Sequence, residues 1–229
     1  MSESPRSGVV SVVAAPLERY GRAAARSSAV VIGQYSTSFG LAVRLLPAGT
    51  RIHIRNVYAL VRLADEIVDG VAAAAGVPAE RIAAALDELE ADTYRAMASG
   101  WSTNLVVHAF ATTAREVGIE RAIVTPFFTS MRMDLERASH TDASFEAYVD
   151  GSAEVVGLMC LRAFVAAGPP RTPEQLAVLE SGARSLGAAF QKVNFLRDLA
   201  ADSEGLGRAY FPGVDVAHLD EATKTRLLA

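Results

Sequence analysis

The sequence of 229 residues is poor in cysteine, in aromatic residues and in long apolar runs. Its single cysteine, Cys160, excludes an intrachain disulfide and is compatible with a reducing cytoplasm. The apolar stretch Val155 to Ala167 contains Arg162 and is shorter than the roughly 20 residues that a membrane-spanning helix needs. The four histidines are not spaced as metal ligands. These absences argue against a disulfide-rich secreted protein, a transmembrane protein and a histidine metal site.

The charge gives no support for a nucleic-acid partner. Lys and Arg number 22 against 26 Asp and Glu, so the net charge is −4 and no strong basic field exists. Contact with a membrane surface would have to be apolar rather than electrostatic. We therefore expect a cytoplasmic protein that binds no nucleic acid, with peripheral membrane contact and the oligomeric state left open.

Helical periodicity runs through nearly the whole chain, and no segment shows a convincing strand alternation. The aromatic content of 7% and the abundance of Ala, Val and Leu favour closely packed helices. The predicted fold class is all-α, with a disordered tail at residues 1–16 and a single domain over residues 17–229. Helices are predicted near Leu17–Ser36, Thr50–Val68, Ala79–Ser99, Thr103–Val117, Glu120–Ala138, Ser144–Ala167 and Pro173–Ala201.

Two pairs of aspartates are the most informative feature of the chain. Asp65 and Asp69, and then Asp198 and Asp202, are four residues apart, which puts both carboxylates of a pair on one helix face. Burying carboxylates is costly unless cations or hydrogen bonds compensate them. Two such helices facing each other would make an oxygen-rich site for Mg²⁺, which in turn binds phosphate oxygens.

Further polar residues extend each pair into a stripe. The first stripe consists of Tyr58, Arg62, Asp65 and Asp69. The second consists of Gln191, Asn194, Asp198 and Asp202. A single acidic pair beside an arginine is commonly an exposed ion pair, worth about 0.3–0.5 kcal/mol. Two stripes with amides in register favour a cavity instead.

These stretches resemble the signatures of the squalene and phytoene synthases, above all the bacterial phytoene synthases. Tyr35–Phe39 and Tyr58–Asp69 resemble the opening signature, and Gln191–Asp202 with Gly207–Pro212 resembles the second. The resemblance implies the isoprenoid synthase fold, a helical bundle around a central cavity. Relatives continue through further helices, so we expect this chain to lack the C-terminal helices. Open apolar side chains, including parts of Ser144–Ala167, should result.

The resemblance also implies an activity. Family members join two allylic diphosphates head to head through a cyclopropylcarbinyl diphosphate, and phytoene synthases use geranylgeranyl diphosphate. We therefore expect a prenyltransferase of carotenoid biosynthesis that binds a prenyl diphosphate substrate, with Mg²⁺ or alternatively Mn²⁺ as its cofactor. Two alternatives stay open. One is a C30 dehydrosqualene or squalene-type synthase using farnesyl diphosphate. The other is a catalytically silent relative that acts as a binding or assembly protein.

Matched residue by residue, the resemblance assigns roles to the stripes and their neighbours. The expected metal ligands are Asp65, Asp69, Asn194, Asp198 and Asp202. The expected catalytic residues are Arg62, Asp65, Asp69, Asp198 and Asp202. The expected substrate-binding residues are Tyr35, Ser36, Thr37, Ser38, Tyr58, Arg62, Gln191 and Arg197. Val155 to Met159 would line the prenyl chains or else form ordinary core. Asp150 stands where family members commonly have a tyrosine, so it alters the handling of the cation, meets a metal or turns outward.

Overall fold

The computed structural model describes residues 7–136, 139–201 and 210–212. Asp202, Gly207 and the first six residues of the predicted tail lie outside these ranges. Within them the prediction of an all-α fold is confirmed. The helices are α1 Ser7–Tyr35, α2 Ser38–Arg44, α3 Ala48–Val68, α4 Val71–Ala74, α5 Ala79–Ser99, α6 Leu105–Val117, α7 Arg121–Glu136, α8 Asp142–Val149, α9 Val155–Ala166 and α10 Pro173–Ala201.

The first helix begins earlier than its sequence pattern indicates. The start was predicted at Leu17 because residues 1–16 show no helical periodicity. In the structure α1 begins at Ser7 and continues through Pro16, so the predicted start is corrected. The assignment of residues 1–16 to a tail and of 17–229 to a single domain stays a prediction.

The predicted helix Ser144–Ala167 is divided into α8 and α9 by a π-helical turn at Asp150–Glu154. Gly151 lies in this turn, directly against the carbonyl oxygen of Pro126 and the hydroxyl of Ser130 on α7. A Cβ at position 151 would overlap both atoms. The wider turn therefore coincides with a close approach of two backbones, which the periodicity of the sequence does not reveal.

The described residues fall into two compact units. The first comprises residues up to 63 together with 89–118. In it α1 packs on α6, and the Tyr20 hydroxyl donates to the carbonyl oxygens of Ser102 at 2.9 Å and Thr103 at 3.0 Å. The buried Asn56 amide donates to the Ala109 carbonyl at 3.2 Å and to Thr113 Oγ1 at 3.0 Å. These bonds satisfy the Tyr20 hydroxyl and the N–H groups of the Asn56 amide inside the unit.

The second unit comprises residues 64–88 and those from 119 onwards. Helix α10 packs on α9 and on the π-helical turn through glycines. A Cβ built on Gly157 would lie 2.5 Å from the Ala183 carbonyl oxygen, and one built on Gly187 would lie 2.5 Å from that of Ala153. Only glycine permits such an approach, so these contacts fix how α10 lies on its neighbours.

Burial in this unit shows which apolar side chains are open. Within Ser144–Ala167, Val155, Leu158 and Met159 are buried as ordinary core, whereas Phe164 is 46% exposed. The open apolar side chains lie mainly on α10, where Phe190 is 64% exposed and Val193 is 59% exposed.

Two smaller points concern Cys160 and the membrane. Cys160 is half-buried, and loss of hydration raises the pKa of its thiol to about 12. Among the described residues, none of the helices combines the length and the apolar character that crossing a bilayer requires.

Candidate functional site

A polar pocket lies within the second unit. Its lining residues are Asp65, Asp69, Asp134, Tyr148, Gln191, Asn194, Phe195, Arg197, Asp198 and Tyr210. The structure thus brings together two acids of the first motif with one acid, two amides and an arginine of the second. The cavity volume is about 190 Å³, below the roughly 300 Å³ at which pockets for whole small ligands begin. A polar head group fits this volume better than a complete prenyl substrate.

The first motif contributes the end of α3. The Asp69 N–H donates to the Asp65 carbonyl oxygen at 2.7 Å, so the helical turn continues through Asp69. The chain then turns at Gly70, whose φ of 108° is the left-handed conformation that favours glycine. Two carboxylates therefore lie at a helix C-terminus, where the macrodipole is negative and disfavours them. A cation bound there would relieve this repulsion.

The second motif contributes consecutive turns of α10. Gln191 Nε2 donates to Ser152 Oγ at 3.3 Å, and Asn194 Nδ2 donates to Gln191 Oε1 at 3.4 Å. In this arrangement each amide nitrogen is used as a donor within the protein. The carbonyl oxygen of Asn194 then remains as the group of that side chain suited to a hard cation.

Arg197 and Asp198 form a two-point ion pair at the same pocket. Arg197 Nε donates to Asp198 Oδ1 at 2.8 Å, and Arg197 Nη2 donates to Oδ2 at 2.5 Å. These hydrogen bonds, aided by the positive charge of Arg197, lower the pKa of Asp198 below its ordinary value, against a smaller effect of desolvation. Asp198 is therefore ionised at neutral pH, as a metal ligand must be.

Four lining residues were not singled out in the sequence: Asp134, Tyr148, Phe195 and Tyr210. Asp134 is only 9% exposed and accepts hydrogen bonds from Tyr148 at 2.9 Å and from Tyr210 at 3.2 Å. Burial raises the pKa of Tyr148 well above its ordinary value, and the neighbouring Asp134 carboxylate and Tyr210 hydroxyl raise it further. Tyr148 is thus a hydrogen-bond donor at any physiological pH. A usable signal existed: Asp134 shares a helix face with the apolar Phe127 and Met131.

The remaining predicted site residues belong to the first unit. The Arg62 guanidinium carbon lies 4.5 Å from the centroid of the Tyr35 ring, a cation–π geometry. Tyr58 stacks on Phe39 with ring centroids 5.6 Å apart. Thr37 precedes α2 and makes no side-chain capping bond, while Ser38 is the first residue of that helix. The binding roles of Tyr35, Ser36, Thr37, Ser38, Tyr58 and Arg62 stay predictions.

Asp150 is not among the described residues that line the pocket. Its Oδ1 accepts a hydrogen bond from Arg184 Nη1 at 2.5 Å, and Glu154 lies 3.4 Å from the same nitrogen. The Asp150 side chain is 40% exposed. Of the alternatives for this position, an ion pair that turns outward matches the structure, and it joins the π-helical turn to α10.

The lining side chains fit a divalent cation by their chemistry. Asp65, Asp69, Asp198 and the Asn194 amide offer oxygen atoms, which are the ligands that Mg²⁺ prefers. In the part of the chain that the structure describes, no three His, Cys, Asp or Glu side chains are already close enough together to hold a metal ion. Asp202, another predicted ligand, lies outside that part. The donor set thus suits a metal that arrives with a diphosphate, rather than a closed structural site.

Comparison with solved structures identifies the class of fold. A crystal structure of a dehydrosqualene synthase in complex with a ligand matches with a TM-score of 0.73 at 24% sequence identity. The match covers 93% of this chain and 72% of that one. The prediction of an isoprenoid synthase helical fold is therefore confirmed.

Sequence comparison then gives the family. The squalene/phytoene synthase family model matches residues 32–228, and the chain belongs to this family. It is 32% identical over 189 residues to the 15-cis-phytoene synthase of Paracoccus sp., covering 82% of this chain and 59% of the relative. It is 34% identical to the phytoene synthase of Rhodobacter capsulatus, covering 77% and 48%.

A relative with another printed activity is also similar. The presqualene diphosphate synthase of Rhodopseudomonas palustris is 29% identical, with 77% of this chain and 58% of the relative covered. The chain spans about half the length of the curated relatives it matches. The comparisons therefore show the family, and the activity and the substrate are questions beyond it.

Proposed function

We propose that the chain provides the diphosphate-binding site of a phytoene synthase, which condenses two geranylgeranyl diphosphates head to head. The observation that carries the proposal is the meeting of both acidic motifs in one pocket. Asp65 and Asp69 reach it from α3, and Asp198 reaches it from α10. Acids from two distant segments have no structural reason to converge on a polar cavity unless a cationic group neutralises them.

The proposed reaction has two ionisations. The C1–O bond of one diphosphate breaks, and the double bond of the second substrate attacks the allylic cation. Loss of a proton gives a cyclopropylcarbinyl diphosphate. Its own C–O bond then breaks, and rearrangement with loss of another proton gives phytoene. Two diphosphates leave, and no reductant is consumed.

The residues present account for binding and charge neutralisation. Asp65, Asp69, Asn194 and Asp198, with Asp202 by resemblance, would hold the metal. Mg²⁺ supplies Lewis-acid neutralisation of the leaving diphosphate oxygens when it is bound. Arg197 lines the pocket and is 66% exposed, which suits its guanidinium to hydrogen-bond a diphosphate oxygen.

The aromatic residues of the pocket would exclude water and favour a positive charge. Phe195 and Tyr210 stack at 4.4 Å between centroids, and both are buried. Packed rings exclude water from one side of the cavity, which protects a carbocation from quenching. Their π-faces also favour a nearby positive charge.

A C30 reaction is the second candidate, because a dehydrosqualene synthase shares the fold and a presqualene diphosphate synthase is similar in sequence. Incubating the chain with labelled geranylgeranyl and farnesyl diphosphates, with and without Mg²⁺, distinguishes these candidates. A Mg²⁺-dependent C40 hydrocarbon is the expected product. A C30 product alone would replace the proposal by its alternative. Diphosphate binding without any hydrocarbon would favour a catalytically silent relative.

A further inference from the structure

A buried carboxylate connects three separate segments at the pocket. Asp134 lies on α7, Tyr148 near the end of α8, and Tyr210 beyond α10. Tyr148 donates to Asp134 Oδ2 at 2.9 Å, and Tyr210 donates to Asp134 Oδ1 at 3.2 Å. Each oxygen of the carboxylate thus accepts from a different tyrosine. One side chain thereby links segments that are far apart in sequence.

Burial distinguishes Asp134 from the other acids of the pocket. Asp134 is 9% exposed, whereas the Asp198 side chain is 41% exposed. A buried carboxylate is tolerated only when hydrogen bonds compensate its lost hydration. Both tyrosines that supply them are themselves buried. The three groups are therefore mutually dependent, and a change in one leaves a buried polar atom of another unsatisfied.

The hydroxyl bonds also determine how the rings lie. Tyr148 and Tyr210 have centroids 5.2 Å apart, and Phe195 lies 4.4 Å from Tyr210 with an interplanar angle of 13°. All three rings line the pocket. A phenol fixed at its hydroxyl end and packed on its face has little rotational freedom. The orientation of the aromatic side of the pocket thus depends on Asp134.

We propose that Asp134 is a positioning residue that acts through Tyr148 and Tyr210, holding their rings against the diphosphate pocket, and that it is not a metal ligand. The inference rests on the proposed function for its catalytic consequence. Both carboxylate oxygens already accept hydrogen bonds, and the group is the most buried acid of the lining. Its loss should disturb the ring faces beside the reacting carbons without removing the site that binds diphosphate.

The test compares Asp134→Asn with Asp198→Asn in the full-length chain. Binding of inorganic pyrophosphate in the presence of Mg²⁺ is measured by calorimetry. Asp134→Asn should keep the affinity within about threefold, while Asp198→Asn should lose tenfold or more. In turnover assays Asp134→Asn should lower kcat about tenfold to a hundredfold with KM within about threefold, because misplaced groups affect the reacting complex most. Equal loss of pyrophosphate binding in both variants would overturn the proposal.

A second readout follows the tyrosines directly. The chain contains six tyrosines, so 3-fluorotyrosine labelling gives six fluorine resonances, and Tyr148→Phe and Tyr210→Phe assign two of them. Asp134→Asn should shift both assigned resonances. The matched control is Asp87→Asn, the same chemical change at an exposed acid that pairs with Arg132 on α7. The control should leave both resonances and turnover unchanged. Unmoved resonances in Asp134→Asn would contradict the proposal.

Failure of the proposed function and failure of the inference about Asp134 give different results. If the wild-type chain binds no pyrophosphate and forms no product, the proposed function fails. The fluorine spectra then still decide whether Asp134 holds the tyrosines. If Asp134→Asn does not fold, Tyr210→Phe removes one hydroxyl and leaves Asp134 its bond from Tyr148. This variant should keep pyrophosphate binding within about threefold and lower kcat. Wild-type kcat in that variant would refute the positioning role.

Discussion

Two groups of residues in the pocket differ in exposure and in the nature of their partners. The outer acids are Asp65, Asp69 and Asp198, of which Asp198 is paired with an exposed arginine. The buried cluster is Asp134, Tyr148, Phe195 and Tyr210. An exposed ion pair is worth about 0–1 kcal/mol, so its members exchange partners at little cost. A buried acid cannot do so, because each lost partner leaves an unsatisfied polar group. One pocket thus combines more exposed acids with a buried cluster whose geometry is fixed by its hydrogen bonds.

The largest effect should follow from removing an outer acid. Asp65→Ala and Asp198→Ala should each lower turnover by at least about a hundredfold, since charge neutralisation at a leaving group is a large part of the barrier. The midpoint temperature of thermal unfolding should be unchanged or slightly raised, because one of several like charges in the pocket is removed. Product formation and circular dichroism measure the two quantities. Asp87→Ala, outside the lining, serves as the control. Wild-type turnover in either Asp65→Ala or Asp198→Ala would contradict a mechanism in which a metal held by these acids assists the ionisation.

The next effect concerns the packing beneath the buried cluster. Gly187→Ala would place a Cβ 2.5 Å from the Ala153 carbonyl oxygen and 3.2 Å from the Glu154 Cα, and backbone atoms cannot move aside cheaply. We expect a loss of about 2–3 kcal/mol in the free energy of unfolding. Gly182→Ala is the matched control on α10, because nothing lies within 4 Å of its Cβ.

Urea unfolding of the two glycine variants provides the measurement. Gly182→Ala should stabilise the chain by about 0.5–1 kcal/mol, since alanine is the better helix former. Equal stability of the two variants would show that α10 is not held closely on the π-helical turn.

A third prediction applies one chemical change to both groups of acids. Asp134→Asn should destabilise the fold by about 1–3 kcal/mol, because an amide cannot accept from both tyrosines through both of its terminal atoms. Asp198→Asn should change stability by no more than about 0.5 kcal/mol, as expected for a partly exposed pair. Chemical unfolding measures both. A larger loss in Asp198→Asn would reverse the distinction between the two groups.

The outer acids could be predicted from sequence because their signal is local. The spacing of four residues in Asp65–Asp69 puts two carboxylates on one face whatever the tertiary structure, and the motif around Asp198 is long. The all-α class followed from periodicity in the same way. The start of α1 could not be predicted in this way, because whether Pro16 is tolerated inside a helix depends on the residues around it.

The partners of the buried cluster could not be predicted, because they come from distant residues. The helix face marks Asp134, but its partner Tyr210 is separated from it by 76 positions. The π-helical turn likewise reflects the contact of Gly151 with Pro126 and Ser130. The interpretation of Val155–Met159 as core rather than substrate wall also needed burial, since both alternatives require the same apolar residues.

The smallest predicted effect concerns His108. Unlike Asp134, this buried group lacks hydrogen bonds that would compensate its burial. His108 is 2% exposed, lies edge-on to Tyr20, and its Nδ1 has no hydrogen-bond partner among the described residues. Burial lowers the pKa of His108 below its ordinary value of 6.5. As pH falls through 6.5, the unfolded chain binds the proton first, so the free energy of unfolding decreases.

This linkage sets the expected measurement. Above about pH 7 His108 is neutral in both states and contributes no pH dependence, and below 6.5 one proton limits the slope to about 1.4 kcal/mol per pH unit. Urea unfolding between pH 5 and 7.5 should therefore show a steeper loss of stability in the wild-type chain than in His108→Gln, which has no proton to take up. Parallel pH profiles of the two proteins would mean that the buried imidazole accepts its proton without penalty. Hydrogen bonding alone, and not burial, would then distinguish Asp134 from His108.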